Sequence, residues 1–392
     1  MNGFTLPICI DKDCDYITNL YDKLNKYSDF TKTIKNIPRI AIENIENNCS
    51  LIKKSMELYY NADIDGAKKK IYEILKKYKD NSFIVSNLDK SYAFRGIAPF
   101  QDLHSEGYAE KYKQMNEYPL SFFKARTGET NFLRKDMLHI PFDKRGVIST
   151  QRFSIPGVPC IYLGTTSYVC WLEMGMPEDY KFNVSSYNVP TKLKILNLVI
   201  SEGLINGHLT HINMKKTENR ENNIELLSTM LEIFPLICAT SYSIKEGNRK
   251  FRSEYIISQL IMQCLNELGI DGVSYISKKA QNDYIAYPHC INLAIPIKYE
   301  GDFVFDREVK KYGDLCGEIK LTKPINFSEY IKIQKEHIKP KSVSYINKIY
   351  TEGYTSTIKL AGKNIEYWKS TFADFDNYLV CLNSEKVIFD NK

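Results

Sequence analysis

Between Ser121 and Met174 the chain gathers residue types that suit one kind of chemistry. Arg126 stands in KARTG, Arg152 in QRFSIPG, Tyr162 at the end of VPCIY and Glu173 in CWLEMG. A guanidinium offers a fork of N–H donors that matches a phosphate. An aromatic ring gives a planar group a face to stack on. A carboxylate set between Leu172 and Met174 is costly unless it has partners, and such a charge stabilises positive charge that develops in a transition state. Cleavage of a dinucleotide asks for all three. Other chemistries find less support. His139 in DMLHIPF lies alone beside apolar residues, no nucleophile elbow occurs, and no Cys or His pair has zinc spacing. Neither a metal site nor a cofactor is expected.

Two later segments follow in order: FPLICAT (Phe234 to Thr240) and EYIISQLIMQCLNELGIDGVSYIS (Glu254 to Ser277). The two arginines, the RFS run, the G-x-P-x-x-Y run, Glu173 eleven positions after Tyr162, and the later SQ and DGVSYIS pieces together resemble the RES family, named for arginine, glutamate and serine. The resemblance covers roughly residues 118–325. It implies an ADP-ribosyltransferase-like fold and an NAD glycohydrolase, with NAD as the substrate and no bound cofactor. It assigns Glu173, Arg126 and Tyr162 to catalysis, and Arg152, Ser154, Gln259 and Ser277 to substrate contacts. Ser277 matches the serine that names the family and is read as a hydrogen-bonding residue, not as a nucleophile. The smallest toxins of the family carry Trp–Asn after the second arginine, whereas this chain has Phe153–Ser154, like the longer-chain branch. The implied biology is a toxin or anti-phage effector, with an antitoxin or defence-system protein as the partner class. Two alternatives stay open: transfer of ADP-ribose to a protein, and a nucleotide-sensing module without catalysis.

These residues need elements to position them. VPCIYLG, Lys192 to Ile200, DGVSYIS and INLAIPI are short apolar runs with β-branched residues and read as strands. SYVCWLEMG, NNIELLSTMLEIF and SEYIISQLIMQCLNELG read as helices, the last closed by Gly269 as a left-handed cap. The class is α+β; neither a GxGxxG after a strand nor a Walker-type loop is present. Upstream, Ile45, Cys49, Ile52, Met56 and Tyr59 recur at helical spacing, as do Ile71, Ile74, Leu75 and Tyr78. Asp63 or Asp65 is the expected cap of the second helix, and its six lysines read as a solvated face. Residues 1–90 are thus expected to form a small all-helical domain. It is similar to the HEPN-like domains that accompany some RES proteins, without their arginine–histidine ribonuclease signature. A connector over 91–120, a catalytic domain over 121–325 and an extension over 326–392 packed on it complete the expected order. Every candidate site residue follows Phe122, so the first ninety residues are expected to regulate or to assemble a homo-oligomer, and to be dispensable for chemistry.

Composition bounds the rest. A chain of 392 residues exceeds the usual single domain, and 43% hydrophobic with 26% charged is an ordinary globular balance. A net charge of +6 over this length gives no reason to expect nucleic acid. Six of the ten cysteines (Cys160, Cys170, Cys238, Cys264, Cys290 and Cys381) lie in apolar runs, where cysteine acts as a small hydrophobe. Acidic residues interrupt the N-terminal apolar stretch and no run of 18 apolar residues occurs, so neither a signal peptide nor a membrane span is expected, and the compartment is read as cytoplasmic.

Overall fold

Three helices open the chain: α1 (Asp15–Lys32), α2 (Arg39–Tyr60) and α3 (Ile64–Tyr78). The computed structural model describes residues 6, 8–34, 37–95, 117–129, 131–202, 205, 220–246, 249–280, 287–299, 308–334, 343–351 and 357–389. Most of the connector expected over 91–120 lies outside the described residues. Helix α2 buries Ile45, Cys49, Ile52 and Met56, the four-three spacing of one apolar face, and leaves Tyr59 half-buried. Helix α3 begins where Asp63 accepts a hydrogen bond from the Gly66 amide at 2.8 Å, and it buries Ile71, Ile74, Leu75 and Tyr78. Its lysines make pairs such as Lys69–Asp65 and Lys70–Glu73, which are surface pairs of small worth.

The architecture is α+β around a ten-stranded sheet. Its strands are β2 (Val85–Asn87), β3 (Phe122–Thr127), β4 (Cys160–Gly164), β5 (Phe182–Asn188), β6 (Lys194–Leu198), β8 (Gly272–Ile276), β9 (Ile291–Pro296), β10 (Lys320–Thr322), β11 (Ile325–Asn326) and β14 (Ser384–Lys386). The order is β14-β10-β5-β3-β4-β9-β8-β6-β2, with β11 also on β5. All pairs are antiparallel except β6–β8. Two small sheets stand beside it: β1 (Ile8–Ile10) runs parallel to β7 (Tyr242–Ile244), and β12 (Thr357–Leu360) forms a hairpin with β13 (Lys363–Glu366).

Five further helices matter here: α4 (Ser167–Glu173), α5 (Arg220–Thr240), α6 (Ile256–Cys264), α7 (Phe327–Gln334) and α8 (Thr371–Cys381). FPLICAT is the last part of α5, which continues through Pro235. A proline removes one backbone hydrogen bond from a helix interior. Here Ile233, Phe234, Leu236, Cys238 and Ala239 are all fully buried around it, and apolar packing offsets that loss. The chain after α6 turns at Gly269 with φ 66°, the left-handed cap that the sequence predicts.

The first three helices do not pack apart from the rest. Helices α1 and α2 lie on α5, and α3 lies on α6. Tyr27 donates to the Leu231 carbonyl and Asn48 to that of Glu232, each at 2.8 Å. One hydrophobic cluster runs from Leu6 to Leu379, so the expected boundary near residue 90 is no break in the core. β2 even joins the sheet as its edge strand. At the other edge the C-terminal residues do the same through β14, while α8 packs on α4 and β5. All ten cysteines are free. Cys381, placed by sequence in an apolar run, is exposed at the end of α8. Among the described residues, no helix is long and apolar enough to cross a membrane.

Candidate functional site

Helix α4 can approach the sheet because strand β4 ends in Gly164. A Cβ there would overlap the side chains of Val169 and Cys170 on α4. Thr166 caps the helix, accepting from the Val169 amide at 3.1 Å and donating to the His289 carbonyl at 2.7 Å. Asp376 of α8 braces the same end. Its Oδ1 accepts from the Ser167 amide at 2.9 Å, and Tyr367 donates to its Oδ2. Burial pushes the Asp376 carboxyl up to about 7. Fixed at its start, α4 delivers Glu173 as its last residue.

Glu173 opens onto a cavity of about 660 Å³. Ser277 Oγ and Asn292 Nδ2 both donate to its Oε1, each at 2.6 Å. Oε2 has no hydrogen-bond partner among the described residues. The sheet explains the convergence. Gly164, Asn292 and Tyr275 stand in register across β4, β9 and β8, and Ser277 follows β8. The Lys279 amide donates to Ser277 Oγ at 3.2 Å and fixes the turn.

Tyr162 and Tyr275 bring aromatic rings to the cavity wall. The Tyr162 hydroxyl donates to the Phe153 carbonyl at 2.8 Å, and burial pushes its pKa well above the usual tyrosine value. Arg152 lines the same cavity. Its Nη1 donates to the Thr240 carbonyl at 2.8 Å and its Nη2 to that of Tyr242 at 2.6 Å, and its plane lies 4.9 Å over the Tyr255 ring. Two of its five N–H groups are thereby used and the guanidinium is held in place. Five cations line the cavity (Lys124, Arg152, Arg252, Lys278 and Lys279) against two carboxylates, Glu173 and Glu254. That balance favours an anionic ligand.

The fold thus brings together Glu173, Ser277, Arg152 and Tyr162. It places three other candidates elsewhere. Arg126 is exposed beyond the lining, over the Phe132 ring, and donates to the Asp136 carbonyl. Lys124, two residues earlier on β3, is the cation that reaches the cavity. Lys124 donates to the Met137 and Leu138 carbonyls at 2.8 Å, and burial pushes its amine down to about 8. Ser154 is buried; its hydroxyl donates to the Gln151 carbonyl at 2.8 Å and accepts from the Gln151 amide at 3.1 Å, closing the turn that presents Arg152. Gln259 is half-buried on α6 and does not line the cavity. Asn292 and Lys124 are residues that sequence reasoning missed. Each carried a signal, a polar side chain in an apolar strand (INLAIP and FFKART), where an unpaired polar group is costly.

Comparison with known proteins adds a limited likeness. A Bacillus subtilis (strain 168) protein described as "Putative toxin YopC" is 30% identical over 269 residues, which cover 67% of this chain and 56% of that protein. The chain therefore matches little more than half the length of that relative. No family model and no solved structure matches the chain.

Proposed function

We propose that the protein is a toxic NAD glycohydrolase, cleaving NAD to nicotinamide and ADP-ribose. The observation that carries this reading is the Glu173 carboxylate, fixed through one oxygen by Ser277 and Asn292 at the wall of a cation-rich, aromatic-lined cavity. In the reaction the bond between the nicotinamide nitrogen and ribose C1′ breaks, and its electron pair neutralises the pyridinium. The sugar is left as an oxocarbenium ion. Glu173 stabilises that charge through Oε2, and its fixed position means little reorganisation as the charge develops. Water then adds to C1′ and releases a proton. Arg152, already oriented by two carbonyls, holds the pyrophosphate, and Lys124 adds positive potential to the cavity wall. Tyr162 and Tyr275 offer faces to the nicotinamide ring.

The likeness to the Bacillus subtilis putative toxin supports a toxic role, and loss of NAD would account for toxicity. The test is incubation of purified protein with NAD, with and without chelator, followed by chromatography. Equal amounts of nicotinamide and ADP-ribose, unaffected by chelator, are expected. Nicotinamide with ADP-ribose fixed to protein would assign a transferase instead. Tight binding of intact NAD would assign a sensor, and neither binding nor cleavage would overturn the reading.

A further inference from the structure

The segment whose carbonyls hold Arg152 is itself held from behind by the start of the chain. Ile8, Cys9 and Ile10 of β1 lie opposite Tyr242, Ser243 and Ile244 of β7. Tyr16 donates to the Ala239 carbonyl at 3.2 Å, Tyr242 donates back to that of Asn19 at 2.9 Å, and the two rings meet edge-on at 5.3 Å. Just past β1, Asp13 accepts from the Arg249 guanidinium and from Ser253 Oγ. Arg249 also reaches Glu254 Oε2 at 2.9 Å, while Arg252 stands 3.6 Å from Glu254 Oε1. Glu254 is only 1% exposed and belongs to the cavity wall. The Tyr255 ring then takes Arg252 at 5.5 Å and Arg152 at 4.9 Å.

Charge explains why this chain of contacts acts as a unit. Arg249 and Arg252 share Glu254; Asp13 gives Arg249 a second carboxylate in direct contact, and Glu246 stands farther off at 3.8 Å. Without Asp13, Arg249 has Glu254 as its main buried partner and competes with Arg252 for it. Two guanidinium groups left to share the buried Glu254 lose their fixed geometry. The stack on Tyr255 is the part that faces the ligand.

We propose that Asp13 is a positioning residue for anion binding in the cavity: by holding Arg249 on Glu254 it keeps Arg252, Tyr255 and Arg152 aligned. This rests on the reading of the cavity as a dinucleotide site. It assigns to the first residues of the chain a share of substrate binding, where the sequence suggests only regulation or assembly. The probe is ADP-ribose, which keeps the pyrophosphate and lacks the scissile bond.

In the full-length protein, Asp13→Ala should bind ADP-ribose about tenfold more weakly by calorimetry, a loss of about 1.4 kcal/mol. Amide exchange should rise across Arg249 to Tyr255. With NAD, KM should rise and kcat stay. Asp11→Ala breaks an exposed pair with Lys245 (2.6 Å) on the same arm and should change neither readout. Unchanged affinity in Asp13→Ala would overturn the proposal. So would an equal loss in Asp11→Ala, which would assign the effect to docking of the arm as a whole. If Asp13→Ala does not fold, Asp13→Asn, which keeps the acceptor and loses the charge, is judged by the same criteria. A wild-type protein that neither binds ADP-ribose nor cleaves NAD would remove the dinucleotide assignment, and the proposal with it, before any variant is made.

Discussion

The two ends of the chain brace different parts of the cavity wall from outside it. The N-terminal arm pairs with β7 and backs Arg152 and Glu254. The C-terminal helix α8 backs α4, and through it Glu173. In the proposed reaction, one end supports groups assigned to hold an anion, and the other supports the group assigned to meet a developing cation. Their chemistry differs as well. The N-terminal brace is ionic and partly exposed, with Asp13 39% accessible, whereas the C-terminal brace is a single buried carboxyl hydrogen-bonded to an amide and a phenol. A brace of the first kind responds to salt, and one of the second kind responds to protonation. Binding and turnover should therefore be separable by mutation at sites far apart in sequence.

The largest effect expected on the turnover side is that of Glu173→Gln. The amide keeps the shape and loses the charge, so kcat should fall roughly a hundred- to a thousandfold, a cost of about 2.7–4 kcal/mol, with little change in KM. Near wild-type turnover in a folded variant would remove Glu173 from the chemistry. On the binding side, Arg152→Lys should raise KM about tenfold, because a lysine cannot span the Thr240 and Tyr242 carbonyls and still face a ligand. A change confined to kcat would erase the proposed contrast.

Asp376 sharpens the contrast through pH. Its carboxyl is raised from 3.8 to about 7 by burial, so the folded state holds the proton more tightly than the unfolded chain. The stabilisation is complete below about pH 4, declines as pH rises toward 7, and changes no further above that. Asp376→Asn stays neutral and keeps an acceptor for the Ser167 amide. Thermal melts of the variant should show a smaller fall in Tm between pH 4 and 7 than those of the parent; parallel curves would refute the assignment. The smallest effect belongs to Lys124, pushed down to about 8 by burial. It loses its charge as pH passes from 7 to 9, so KM for NAD should climb severalfold over that range. In Lys124→Met, KM should start higher and stay flatter, which steady-state kinetics would show.

Much of this arrangement was legible before any fold was seen, and the part that was not has a common cause. Helices α2 and α3 announced themselves through periodicity, and the strands β4, β6, β8 and β9 through apolar runs. β2 and β7, three residues each, are too short to show alternation, yet they tie the first ninety residues to the sheet and to Arg152. At the site, sequence order located Glu173, Tyr162, Arg152 and Ser277. It could not tell Arg126 from Lys124, since both stand on one short strand and only the packing around β3 decides which reaches the cavity. Ser154 and Gln259 show the same limit, because residues beside a site in sequence often serve the turn or helix that carries it.

The brace from Asp376 to Ser167 also bears on how the protein is made. Ser167 emerges from the ribosome some two hundred residues before its partner, and β14, which closes the sheet edge, comes later still. Contacts between such distant residues form late because a long loop must close first. During synthesis the growing chain can carry Glu173, Ser277 and Arg152 without the support that fixes α4. A fully braced α4 therefore exists only after Asp376 has been made, which leaves an interval in synthesis during which Glu173 is present without that support.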